Sequence, residues 1–223
     1  MSIKINKTDW AKAIQPLIKK YKGKKHPLDY KNNYQLLVMV ILSAQDSDKH
    51  INQIAPPLFA AFPNMQALAR ADTAMLNPYI EKVRGFARKA EWLVKIAKQL
   101  KDDKSIPLSM DELVKLSGIG RKSANVIMRE AGIKASGVMV DLHVVRVANR
   151  LGIADSENPK IIEEQIMEKI PEKDWGETGM AISFLGRETC RPSNPMHSEC
   201  VMKDVCKYYH SLFDEKKKTM PGK

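Results

Sequence analysis

Leu116-Ser-Gly-Ile-Gly-Arg-Lys-Ser-Ala-Asn125 places two glycines and a lysine between two short apolar-periodic segments. Before it, Ser109 and Glu112 have capping-box spacing, and Leu113 and Leu116 mark one turn of a short helix ending at Ser117-Gly118. After it, Ala124, Ile127, Met128 and Ala131 recur at helical spacing, with Gly132 as a stop. Two helices joined by a glycine hairpin are therefore expected. Arg121 separates the glycine from the lysine, which breaks a P-loop, and Ser123 stands where a dinucleotide fingerprint needs its third glycine. What remains is either an ordinary interhelical turn or one in which Gly118 and Gly120 let backbone N–H groups approach a phosphate at the positive end of the following helix. Such a contact positions a nucleic acid without reading its sequence.

The same grammar continues outward. Val140, Val144, Val147, Ala148 and Leu151 form a helical stripe, with Asp141 placed as N-cap and Gly152 just past the end. A strand over Val138 to Val147 is the alternative, but period 2 does not continue through Leu151. Asn158-Pro159 is a cap-plus-first-turn signature for a helix carrying Ile162, Ile166 and Ile170, closed by Pro171. Tyr34 to Leu42 is apolar on every side, which in a helical protein marks a central helix. Tight-hairpin pairs such as Asn-Gly and Asp-Gly are absent, so the fold class is all-α.

Composition narrows the function. At 223 residues, with 43% hydrophobic and 28% charged residues, the chain can bury a core, which excludes a disordered tail. Its longest apolar run, Leu36 to Leu42, is far shorter than the roughly 18 residues of a membrane span. The first 25 residues show no secretory h-region, so the cytoplasm is the expected location. A net charge of +11 points to a polyanion, nucleic acid first, and 6% aromatic residues is thin for single-strand stacking, so backbone contacts to a duplex fit better. All three cysteines, Cys190, Cys200 and Cys206, fall in one short stretch, which in such a chain reads as metal ligation before disulfide.

Two longer runs, Leu116-Ser-Gly-Ile-Gly-Arg-Lys-Ser-Ala-Asn-Val126 and Val140-Asp-Leu-His-Val-Val-Arg-Val147, resemble the endonuclease III family. Supporting pieces lie at Leu42-Ser-Ala-Gln45 through Asp48, at Lys89-Ala90, and from Gly186-Arg187 through Cys206. The resemblance implies a two-lobed helix-hairpin-helix DNA glycosylase fold with a C-terminal metal-binding loop. One lobe would span 26–135 with the hairpin, and the other would join 1–25 to 136–223. It implies a monomeric base-excision enzyme with AP lyase activity on oxidised pyrimidines in duplex DNA. Another lesion, an oxidised purine or a mismatched thymine, is the alternative, and a non-catalytic DNA-binding relative is a further one.

By the same resemblance Lys122 is the nucleophile that attacks the deoxyribose C1′, and Asp141 the carboxylate that supports the step. A lysine of ordinary pKa near 10.4 costs about 4.6 kcal/mol to deprotonate at pH 7, so a nucleophilic lysine must be perturbed. The helix N-terminus and Arg121 disfavour the ammonium by roughly 0.3–1 kcal/mol each, so burial in a cleft is expected to supply the rest. Gly118, Gly120, Arg121, Arg187 and Arg191 are the expected DNA contacts. Gln45 matches the residue that fills the gap left by the extruded nucleotide. Two positions depart from the family pattern. Asp46 stands where a neutral side chain is commoner, and a carboxylate near phosphate would be repelled. Gly85 stands at the expected apolar wedge in Val83-Arg84-Gly85-Phe86, so either Phe86 or Arg84 takes that role or the complementary strand is held differently.

Cys190, His197, Cys200 and Cys206, separated by six, two and five residues, match the family's iron-sulfur loop with one cysteine changed to histidine. A [4Fe-4S] cluster with three thiolates and one imidazole is the implied cofactor, with tetrahedral zinc as the alternative.

Overall fold

The computed structural model describes residues 8–218, with side chains described as far as Leu212. Among the described residues every regular element is helical, as the turn chemistry and apolar periods required. The chain divides into two compact units, one of residues 25–133 and one that joins the residues up to 24 to those from 134 onward.

In the unit of residues 25–133 the central element is the helix Asn33–Leu42, in which Tyr34 and every residue from Leu36 to Leu42 are buried. Asn32 caps it, its side chain accepting from the Gln35 N–H at 2.9 Å. The helices Asp48–Ala61, Phe86–Leu100 and Arg121–Glu130 pack around it, which explains why it has no polar face. Tyr34 reaches the edge of this core and donates its hydroxyl to the Phe62 carbonyl at 2.7 Å, so its one polar atom is satisfied.

The first hairpin helix is short, Met110–Leu113. Its expected capping box closes differently, since the Ser109 hydroxyl donates to Glu112 Oε2 at 2.7 Å and caps no N–H group. The second, Arg121–Glu130, ends as Gly132 adopts a φ of +71°, with the Ile133 N–H returning to the Met128 carbonyl at 2.8 Å.

In the other unit the hub is Trp175–Glu188, buried from Thr178 to Gly186 and packed against Leu142–Leu151 and Gln15–Tyr21. Small residues allow this closeness: a Cβ on Gly179 would stand 2.5 Å from the Met139 carbonyl oxygen, and one on Gly186 2.9 Å from His143 Cβ. The Val138 to Val147 stripe is part helix only. Leu142–Leu151 is helical behind its Asp141 cap and stops at Gly152 with φ +86°, whereas Val138 to Val140 are buried but lie outside it. Asn158 caps Pro159–Met167, accepting from the Lys160 N–H at 2.9 Å; the helix ends before Pro171, which instead opens a short turn.

Candidate functional site

The hairpin is shaped from below by an aromatic ring. Gly118 has a φ of +80°, and a Cβ there would stand 2.4 Å from Trp92 Cε3, so both backbone and space demand glycine. Ile119 and Leu116 anchor the turn in the core, the Ile119 N–H donating to the Leu116 carbonyl at 3.1 Å. Gly120 has a different reason. It is the N-cap of Arg121–Glu130, no side chain caps that end, and nothing lies within 4 Å of where its Cβ would be. This helix end thus has no side-chain cap and has room beside Gly120, an arrangement that can receive an anion.

Lys122 lies in the first turn of this helix and is exposed. The expected burial in a cleft is not what the structure shows, because the packing that covers Ala124 to Met128 does not extend over the first turn. Arg121 beside it is exposed as well.

Asp141 is 8% exposed, and each of its carboxylate oxygens has its own partners. Oδ1 caps the helix Leu142–Leu151, accepting from the His143 N–H at 2.9 Å and the Val144 N–H at 2.8 Å. Oδ2 accepts the Ser183 hydroxyl at 2.7 Å and faces Arg187 Nη2 at 3.6 Å. Arg187, expected to face phosphate, therefore points its guanidinium at Asp141, and its Nε donates to Ser183 Oγ at 3.4 Å. Arg191 is exposed, with Nε donating to the Glu188 carbonyl at 3.1 Å. Lys122 belongs to the unit of residues 25–133 and Asp141 to the other.

Gln45 is exposed at the turn following the central helix and has a φ of +61°, a left-handed conformation that a non-glycine side chain adopts only at a cost. Asp46 does not turn outward. Its side chain is 12% exposed, with Oδ1 2.8 Å from His50 Nδ1. Gly85 is left-handed at φ +70° and caps Phe86–Leu100, with Arg84 exposed before it and Phe86 partly covered after it.

The four expected metal ligands border one pocket without closing on a single point. Cys190, His197, Cys200 and Cys206 line one pocket, walled also by Leu151 and Tyr208. Among the described residues no three His, Cys, Asp or Glu side chains are grouped to hold a single ion; the sulfurs and the imidazole border a shared space instead. Burial pushes the Cys200 and Cys206 thiols up, and the neighbouring cysteines act in the same direction. A sulfur-rich donor set around an apolar pocket fits a thiolate-bound metal group, whose charge would reverse that preference for the protonated form.

Arg146 and Arg150, four apart on the helix that Asp141 opens, went unnoticed in the sequence. Arg146 Nη2 donates to the Gly186 carbonyl at 2.8 Å. Arg150 donates to the Arg191 and Pro192 carbonyls at 2.8 and 3.0 Å, lies 3.4 Å from Cys190 Sγ, and stacks over Tyr208. Their spacing on a capped amphipathic helix was the available signal.

Residues 38–172 match the family described as HhH-GPD superfamily base excision DNA repair protein. Proteins named endonuclease III are similar over most of their length. That of Synechocystis sp. is 35% identical over 204 residues, covering 90% of this chain and 93% of the relative. That of Thermotoga maritima is 33% identical over 190 residues, covering 83% and 89%. The chain belongs to the endonuclease III family of HhH-GPD base excision DNA repair proteins. Two solved structures share the fold of this endonuclease III relative. A trapped endonuclease III–DNA covalent intermediate superposes with a TM-score of 0.79 at 28% identity, covering 90% of this chain and 95% of that one. A thermostable thymine-DNA glycosylase gives 0.74 at 20% identity, a likeness of fold alone. Among the described residues no helix is long and apolar enough to cross a membrane.

Proposed function

We propose that this protein is a bifunctional DNA glycosylase and AP lyase that removes oxidised pyrimidines from duplex DNA as a monomer, working on the DNA of the nucleoid. The observation that carries the reading is the uncapped, glycine-bounded N-terminus of Arg121–Glu130 with Lys122 in its first turn, found in a chain of the endonuclease III family. Backbone N–H groups at Gly118 and Gly120 would meet a phosphate there, with Arg121 adding charge, and Arg191 would meet the DNA backbone from its own unit.

The Lys122 amine attacks C1′ of the extruded nucleotide, the C1′–N bond breaks, and the base leaves with that electron pair. The sugar then opens to a Schiff base on Lys122, a C2′ proton is lost to a base, and elimination breaks the 3′ C–O bond, the phosphate leaving with that electron pair and the strand being cut. Asp141 stabilises the positive charge that develops on the sugar. Since Lys122 is exposed in the free protein, the docked duplex itself must exclude the water around it. Gln45 fills the gap from one turn, and Phe86 or Arg84 meets the opposite strand from the other.

Cys190, His197, Cys200 and Cys206, which line one pocket, would hold a [4Fe-4S] cluster, a reading their family-like spacing supports over tetrahedral zinc. Bound, the group would crosslink the loop that carries Arg191. Base release from a duplex containing an oxidised pyrimidine, followed by strand cleavage, tests the assignment. Faster release from an oxidised purine or a mismatched thymine would replace the lesion, and binding without release on any of the three would make the protein a non-catalytic relative.

A further inference from the structure

Two turns of the unit of residues 25–133 carry the proposed gap-filling side chains, and one carboxylate lies between them. Asp46 Oδ1 accepts from the Ser47 N–H at 2.7 Å and pairs with His50 Nδ1 at 2.8 Å, which holds it to the Gln45 turn and the start of the helix Asp48–Ala61. Asp46 Oδ2 accepts the Arg84 N–H at 3.1 Å across a sequence separation of 38 residues. That bond ties the Gln45 turn to the Arg84-Gly85-Phe86 turn. Behind both, the ammonium of Lys89, a residue 4% exposed, donates to the Leu42 carbonyl at 2.7 Å and the Ala44 carbonyl at 2.6 Å. These are carbonyls left open where the central helix ends, so Lys89 fixes the backbone on the near side of Gln45 while Asp46 fixes the far side.

Electrostatics agree with this geometry. Burial raises the Asp46 carboxyl, but the bonds from His50, Arg84 and Ser47 outweigh it and hold the group below the usual carboxylate range. Burial lowers the Lys89 ammonium, while Asp46 raises it. Gln45, at φ +61°, sits between the two in a conformation that it would not hold unaided.

We propose that Asp46 is a positioning residue that sets the Gln45 turn and the Arg84-Gly85-Phe86 turn together for insertion into DNA, with buried Lys89 as the second clamp. The inference rests on Gln45 being the gap-filling residue, as argued above. Asp46 thus acts by joining two backbone turns and not by repelling phosphate, and the insertion loops are preorganised before DNA arrives.

A double-mutant cycle tests it. Binding of wild type, Gln45→Ala, Asp46→Ala and the double variant is measured against a duplex with a tetrahydrofuran abasic analogue and against the undamaged duplex. Gln45→Ala should reduce the preference for the abasic duplex; if it does not, the gap-filling reading falls and this inference with it, while adduct formation on Lys122 would still report the glycosylase chemistry. Asp46→Ala should lower the preference about tenfold when Gln45 is present and less than about twofold in the Gln45→Ala background. An equal loss in both backgrounds, or no loss in either, would overturn the proposal. Asp46→Asn, which keeps one acceptor, should fall between wild type and Asp46→Ala, and it supplies the same cycle if Asp46→Ala does not fold.

Discussion

Replacing Gly118 by alanine should strike the hairpin twice. At φ +80° an L side chain costs roughly 1–2 kcal/mol. The new methyl would also stand 2.4 Å from Trp92 Cε3, and displacing that indole adds about 1–3 kcal/mol. Together the unit should lose about 2–5 kcal/mol, which lowers Tm by roughly 4–20 °C in a chain of this size. Gly120→Ala is the matched control, because its φ of −99° is ordinary and nothing lies within 4 Å. Its stability cost is a poorer N-cap alone, about 0.5 kcal/mol. Yet its methyl would project into the space proposed for a phosphate, so affinity for duplex DNA should drop and the salt slope should become shallower by about 0.9 for one lost contact. Thermal melts and binding titrations across salt concentrations separate the two effects. Equal melting of Gly118→Ala and wild type would refute the account of the turn, and wild-type binding by Gly120→Ala would refute the phosphate seat.

The Asp46 carboxyl is depressed in the folded chain, so its contribution is present above the ordinary value near 3.9 and disappears as pH falls below it. The Tm gap between wild type and Asp46→Asn should therefore be widest near neutrality and shrink below about pH 4; a gap independent of pH in melting curves would contradict the bonding described. Ile41→Ala, in the fully covered central helix, should cost about 2–5 kcal/mol in denaturant titrations, and a loss below 1 kcal/mol would place that helix nearer the surface. Purified protein should be brown and contain iron with acid-labile sulfide, His197→Cys should keep the colour and His197→Ala should lower the iron content; colourless protein containing zinc would reverse the metal assignment.

The features legible in the sequence were those that act locally. Asp141, Asn158, Gly132 and Gly152 announce helix ends because capping bonds span only a few residues, and each does its expected work. Leu36 to Leu42 announces a central helix because a segment without a polar face must be covered on all sides. The features missed depend on partners distant in the chain. Arg187 turns toward Asp141 and Ser183, Asp46 finds the Arg84 N–H, and Arg150 reaches the backbone beyond Cys190; no spacing rule encodes such meetings. Lys122 was expected to be buried because the chemistry needs a dry amine. The free protein leaves it exposed, which is compatible with that chemistry only if DNA completes the environment.

The most direct measurement is borohydride reduction during reaction with a duplex carrying an oxidised pyrimidine, followed by mass mapping of the crosslinked peptide. The stabilised adduct should lie on Lys122 and be absent in Lys122→Ala. A crosslink mapped to another amine, or one that persists in Lys122→Ala, would contradict the assignment.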